Sequence, residues 1–360
     1  MTFDFFNVPR IVFGRGAITR LPEFVPASAR VFLMYNGRKP DLACAESFHQ
    51  KGEPTVGDVD RAMELARGAK ADFVIAVGGG SAIDAAKAVA GLLANGGVAT
   101  DYMEVVGKGQ RITKPAVPWI AIPTTAGTGA EVTRNAVVGW PEKKFKASIR
   151  SELLMARVAL IDPDLHVPVP PDVTARSGAD ALCQCIEAYT STGANAMTDA
   201  VAADGIRFAA ANLKRSFEHG DDVDAREGMA YAALCGGIAL TNAGLGAVHG
   251  FAAPLGANFP VPHGTVCGLL LPHVIRANRR HGNDAVKRKY ERVDDLLGGD
   301  AAAVCESIVR DLELPPLSTF GLTEADVGPM VGLAKKASSM RYNPVALDAQ
   351  VLSEILLAAR

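Results

Sequence analysis

The sequence has 360 residues, 49% of them hydrophobic and 21% charged, with a formal net charge of −2. That length suits two domains or one large one with a core of ordinary size. The near-neutral balance gives no electrostatic reason to expect nucleic acid or an anionic membrane as a partner, and no apolar run reaches the roughly 18 residues of a membrane span.

The opening residues, MTFDFFNVPR, lack a basic stretch followed by an apolar one, so no signal peptide is expected. The six cysteines, Cys44, Cys183, Cys185, Cys235, Cys267 and Cys305, are scattered and do not form a secreted disulfide framework. The expectation is a cytoplasmic protein with reduced thiols.

In chain order, residues 31–35 (VFLMY) predict a buried strand. Residues 57–69 predict an amphipathic helix with Val59, Met63, Leu65 and Ala66 as its apolar positions. Residues 72–77 (DFVIAV) predict a strand, 81–94 (SAIDAAKAVAGLLA) a helix, and 117–122 (VPWIAI) a third strand. This alternation argues for a parallel α/β sheet. The Pro- and Asp-rich run 161–172 (IDPDLHVPVPPD) marks a boundary. Beyond it, helical patterns cover 172–190, 195–216, 224–243, 265–280, 284–297, 300–312, 323–338 and 348–359. The expected organisation is an α/β nucleotide-binding domain over 1–163 and an all-helical domain over 164–360.

The run DFVIAVGGGSAIDAAKA passes from a strand through Gly78, Gly79 and Gly80 into a helix. Glycines let the backbone approach a ligand closely. The N–H groups and dipole at the helix start favour a phosphate, with Ser81 as a cap and phosphate donor. The alternative is a tight strand-to-helix turn, because Ile83 breaks the G-x-G-x-x-G pattern. A second loop, IPTTAGTGAEVT, sets Thr124, Thr125 and Thr128 beside Gly127 and Gly129, suited to pyrophosphate or ribose hydroxyls. Two such loops at strand carboxyl ends reinforce each other.

In GADALCQCIEAY, Asp180, Gln184 and Glu187 share a helix face. The segment NAGLGAVHGFAAPLGANFPVPHG adds His249 and His263, each followed by glycine. A carboxylate with two imidazoles suits Fe2+ or Zn2+. The competing reading makes both histidines satisfied core residues and Asp180 a capping group. Cys183 and Cys185 are expected to point different ways and pack, and His273 to be core.

The segments RIVFGRGAI, AVGGGSAIDAAKA, IPTTAGTGAEVT, ALIDPDL, SGADALCQCIEAY, VHGFAAPLG, PHGTVCGLLLP and YNPVAL run in order along nearly the whole chain. Together they resemble the iron-containing (group III) alcohol dehydrogenase family, in its maleylacetate reductase-like branch. The resemblance implies a dehydroquinate synthase-like fold, with an N-terminal dinucleotide-binding α/β domain and an all-α C-terminal domain. It implies a homodimer that interconverts a small alcohol and its aldehyde or ketone, an anionic carbonyl included, by NAD(P)-dependent hydride transfer. By position, Gly78, Gly79, Gly80 and Ser81 would hold the pyrophosphate. Thr124, Thr125 and Thr128 would contact phosphate or the nicotinamide ribose. Asp84 would lie on the nicotinamide side, and Lys146 would touch the cofactor.

The family's metal set is an Asp, a His four residues later and two further histidines. Here it corresponds to Asp180, Gln184, His249 and His263, and a further family histidine assigned to proton relay corresponds to Ala253. Either Gln184 or water completes a weakened Fe2+ or Zn2+ site, or the pocket needs no metal. In the second case Gln184 and a protonated His249 or His263 polarise the carbonyl. The expectation is a metal-independent or weakly metal-binding pocket. Asn36 stands where the family often carries an Asp for the adenosine ribose. An amide does not repel a 2′-phosphate, and Arg38 or Lys39 could pair with one, so NADP is favoured over NAD; alternatively, both cations are only surface charges. Residues 36–56 are shorter than the family's helix and strand there. A polyol dehydrogenase and a catalytically degenerate nucleotide binder are the alternative functions.

Overall fold

A computed structural model describes residues 2–360. The chain divides into two compact units. One comprises Phe6–Thr125 and Gly129–Val167; the other comprises residues 2–5, Ala126–Thr128 and Pro168–Arg360.

The first unit contains strands β1 (Ile11–Phe13), β2 (Val31–Tyr35), β3 (Glu46–His49), β4 (Phe73–Gly78), β5 (Trp119–Pro123) and β8 (Val158–Ile161). They form one sheet in the order β1-β8-β5-β4-β2-β3, every pair parallel. The register sets Val31 against Phe73, and Val74 against Trp119. Every residue of β4 and β5 is buried, as an unbroken apolar run requires when both faces of a parallel strand are covered. Helices α1 (Val56–Gly68), α2 (Gly80–Asn95) and α3 (Ala99–Tyr102) complete the unit, with an antiparallel pair, β6 (Asn135–Trp140) and β7 (Phe145–Arg150). Thr55 caps α1 in a reciprocal box with Asp58.

The strands and helices expected for β2, α1, β4, α2 and β5 are present within a residue or two. Strands β1, β3 and β8 are new. They have three or four residues, too few to show a period. Within residues 36–56 the only regular element before α1 is β3. Ser81 is not the cap of α2: Gly79 holds that position, and Ser81 lies inside the first turn.

The second unit is helical: α4 (Pro171–Thr190), α5 (Ala196–Glu218), α6 (Val223–Ala243), α7 (Ala247–Asn258), α8 (His263–His281), α9 (Asp284–Leu297), α10 (Ala301–Asp311), α11 (Glu324–Ala334) and α12 (Ala349–Ala358). Side-chain caps at Asn195, Asp222, Asn283, Asp300 and Asp348 set the starts of α5, α6, α9, α10 and α12. Helix α4 is central, packed by α5, α6 and α8, and Leu182, Ile186, Ile206, Leu213, Phe251 and Leu270 belong to its core. Helix α7 has no counterpart among the expected helices. Gly250, Pro254 and Gly256 weaken its local signal, and burial against neighbouring helices holds it instead. No single helix among the described residues is long and apolar enough to cross a membrane.

Candidate active site

In the first unit, the carboxyl ends of β2, β4 and β5 meet the start of α2. Gly78 ends β4 at φ 159, and a Cβ there would stand 2.2 Å from Asn36 Oδ1 and 2.8 Å from Ala82 Cβ. Only glycine fits. The Asn36 oxygen accepts from Gly79 N at 3.1 Å, and its nitrogen donates to Ser81 Oγ at 3.0 Å. The amide expected at the adenosine ribose is therefore bound into the turn itself. Arg38 and Lys39 follow it and are exposed. Thr124 N donates to Gly78 O at 3.0 Å, and a Cβ on Gly79 would stand 2.9 Å from Thr125 Oγ1. The turn is thus a small backbone platform, with Gly80 opening the helix.

Asp84 lies one turn farther along α2. Its Oδ2 accepts from Val137 N at 3.0 Å and its Oδ1 faces Lys87 Nζ at 3.4 Å. Lys87 is fully buried and donates to Ala130 O, Thr133 Oγ1 and Asn135 O at 2.9, 2.6 and 2.7 Å; burial lowers its pKa. Lys146, on β7, pairs with Glu53. Burial pushes the neighbouring Glu131 carboxyl up to about 7.

The threonine loop is shared out. Thr124 and Thr125 belong to the first unit and Thr128 to the second. There a Cβ on Gly127 would meet Ser177 Cβ, on α4, at 2.9 Å.

In the second unit, three helices bring donors together. Helix α4 supplies Asp180, α7 supplies His249, and α8 supplies His263 and, one turn later, Cys267. Asp180 Oδ1 lies 3.2 Å from His249 Nε2 and 3.6 Å from His263 Nε2. Cys267 Sγ lies 3.7 Å from His249 Nε2. One donor atom from each of these four residues falls within 4.8 Å of every other. Asp180, His249 and Cys267 are buried, and His263 is partly exposed.

Glu187 stands behind His249. Its Oε2 accepts from His249 Nδ1 at 2.7 Å, and its Oε1 from Val248 N at 2.7 Å. The Nδ1 proton is thereby committed, and Nε2 is the nitrogen turned to the cluster. Asn343, from YNPVAL, accepts from Ala247 N at 3.1 Å and holds the start of the same helix. Cys183 Sγ sits 3.9 Å from His249 Nδ1, while Cys185 donates to Ala232 O at 3.5 Å; the two thiols do face different ways. Ala253 is partly buried one turn beyond His249.

The electrostatics follow from this packing. Burial alone would raise the Asp180 carboxyl, but facing His263 and His249 bring it below the usual range. Burial would lower His249, yet Cys267, Asp180 and Glu187 hold it well above an ordinary histidine. Burial would raise Cys267, but a Cys183 hydrogen bond and both imidazoles bring it well below an ordinary thiol.

Gln184 faces Asp180, one turn before it on α4. Its nitrogen donates to Asp180 Oδ2 at 3.1 Å. Its oxygen lies toward Gly236 and has no hydrogen-bond partner among the described residues. An ionised carboxylate can only accept, so the amide must turn its nitrogen to Asp180. Cys267 was missed as a site residue and Glu187 as the partner of His249. The signal for the first was the His263/Cys267 spacing of four, the same as Asp180/Gln184.

Gly264 explains how α8 reaches α4. A Cβ there would stand 1.9 Å from Arg176 O on α4. A larger residue would push α8 outward and carry His263 and Cys267 away from Asp180.

Residues 9–163 match the family described as iron-containing alcohol dehydrogenase, and residues 174–360 match the C-terminal part of the Fe-containing alcohol dehydrogenase family. The chain is 38% identical over 301 residues to alcohol dehydrogenase 4 of Schizosaccharomyces pombe, covering 81% of this chain and 69% of that one. It is 30% identical over 383 residues to the NAD-dependent methanol dehydrogenase of Bacillus methanolicus, covering 98% of each. Among solved structures it is similar to a 1,3-propanediol oxidoreductase, with a TM-score of 0.92, 30% identity and 100% of both chains covered. It is also similar to sulfoacetaldehyde reductase from Bifidobacterium kashiwanohense in complex with NAD+, with a TM-score of 0.89 and 28% identity, covering 100% of this chain and 99% of that one. The parallel α/β unit and helical unit are those of the dehydroquinate synthase-like fold. The chain belongs to the iron-containing alcohol dehydrogenase family and is an oxidoreductase of the alcohol dehydrogenase class.

Proposed function

We propose that this chain transfers a hydride between a nicotinamide dinucleotide and a small aldehyde or ketone, anionic ones included, and that it does so with a divalent metal. The observation that carries this reading is the convergence of Asp180, His249 and His263 from three helices onto one point. We assign the nucleotide to residues 1–163, and the metal and substrate to residues 164–360. A bound ion would supply Lewis acidity to the carbonyl oxygen.

The chain's own residues do the rest. Gln184 orients Asp180 so that Oδ1 faces the histidines. Glu187 fixes the tautomer of His249. The N–H groups at the start of α2, beside Gly78, Gly79, Gly80 and Ser81, suit a pyrophosphate. Thr124, Thr125, Thr128, Asp84 and Lys146 remain the assigned cofactor contacts. Exposed Arg38 and Lys39 suit a 2′-phosphate, so NADP is accepted as well as NAD.

The test is oxidation of NADH and NADPH with a panel of small aldehydes and oxoacids, before and after chelation. Turnover lost on chelation and restored by Fe2+ or Zn2+ supports the reading. Undiminished turnover after complete metal removal sinks its metal part, and no turnover with any carbonyl sinks the whole.

A further inference from the structure

We propose that Cys267 is the fourth metal ligand of this chain, and that Gln184 is not a ligand but the group that orients Asp180. The proposal rests on the metal reading above and deepens it. The missing imidazole at residue 184 then leaves no hole, because a thiolate enters from another helix.

The spacing carries the argument. An ion bound tetrahedrally at about 2.0–2.1 Å by nitrogen and oxygen, and at about 2.3 Å by sulfur, holds its ligand atoms roughly 3.3–3.6 Å apart. The separations here are 3.2 Å for Asp180–His249, 3.6 Å for Asp180–His263 and 3.7 Å for Cys267–His249. These three of the six edges approximate such a tetrahedron, and the other three lie within 4.8 Å. Cys267 is fully buried, and its sulfur lies among two imidazoles and a carboxylate.

Gln184 is committed elsewhere. Its nitrogen is held by Asp180 Oδ2, and its oxygen lies on the Gly236 side. To ligate, the amide would have to rotate and give up its hydrogen bond to Asp180 Oδ2. Asp180 thus divides its oxygens, with Oδ2 for Gln184 and Oδ1 for the cluster.

The donor set has a chemical consequence. One thiolate, two imidazoles and one carboxylate in a tetrahedral arrangement suit Zn2+, whereas a set of nitrogen and oxygen donors alone discriminates less between Zn2+ and Fe2+. With Cys267 as a ligand, the site would favour Zn2+ over Fe2+, although the family is named for iron.

X-ray absorption on the full chain, stripped and reloaded with Zn2+, tests this directly. The expected result is one sulfur neighbour at about 2.3 Å. Co2+ loading should give thiolate-to-metal charge-transfer absorption in the near ultraviolet. Cys267→Ser and Cys267→Ala should lose both signatures, while Gln184→Ala and Cys183→Ala keep them. A wild-type ion with only nitrogen and oxygen neighbours overturns the assignment while leaving the metal reading intact. A sulfur signal that survives in Cys267→Ser also overturns it. Failure of any ion to bind, with turnover unaffected by chelation, overturns both. If the Cys267 variants do not fold, Cys183→Ala decides the source of the sulfur, because Cys183 is the other thiol beside His249: a signal that persists there supports Cys267, and a signal lost there overturns the assignment.

Discussion

Glu187 Oε2 accepts the Nδ1 proton of His249 at 2.7 Å while Oε1 accepts from the backbone of Val248 at the start of α7. One carboxylate therefore orients an imidazole and caps the helix that carries it. Replacing it with alanine removes the acceptor of three buried donors, Val248 N, His249 N and His249 Nδ1, and a buried unpaired donor costs about 1–3 kcal/mol. Glu187→Ala is expected to lower the unfolding free energy by about 3 kcal/mol, and kcat/KM or metal affinity by about 10–100-fold. Glu187→Gln, whose amide oxygen can still accept from Nδ1 but whose nitrogen would face the Val248 N–H, should recover only part of the stability. Denaturant titration and chelator competition check the two effects separately.

Gly264 has no room for a side chain, with Arg176 O 1.9 Å from a notional Cβ. Gly264→Ala should cost about 3 kcal/mol by overpacking and displace His263. A melting temperature within a degree of the parent chain would contradict the close approach of α8 to α4.

The Arg38→Ala/Lys39→Ala double variant addresses cofactor choice. If these cations meet a 2′-phosphate, kcat/KM for NADPH should fall about tenfold, or about 1.4 kcal/mol, with NADH unchanged. Equal losses for both cofactors, or none, would remove that role.

Glu131 makes stability depend on pH. Burial raises its pKa from 4.5 to about 7. Between those values the folded chain binds more protons than the unfolded one, so stability falls as pH rises through the window. The contribution is present below the unfolded value and lost above about 7, a change of about 3 kcal/mol. Glu131→Gln should flatten this slope. Urea unfolding of both proteins at acidic, neutral and mildly basic pH would show it, and parallel profiles would refute it.

Much of the first unit was legible because its signals are local. Buried β4 and the helix α2 behind it announce themselves through an apolar run, three glycines and a helical period. Capping residues mark α5, α6, α9, α10 and α12 in the same way. Helix α7 was hidden because its glycines and proline argue against helix locally, while burial, Glu187 and Asn343 decide it from outside. The ordered motifs also made the family legible, and the resemblance, rather than any local pattern, named Asp180, His249 and His263 as one set. What Gln184 does, and that Cys267 stands opposite Asp180, only the tertiary structure decided. Which side chains on α4, α7 and α8 meet depends on how closely the helices pack and how they are rotated. Gly264 sets the approach of α8 to α4, and no period within a single helix records it.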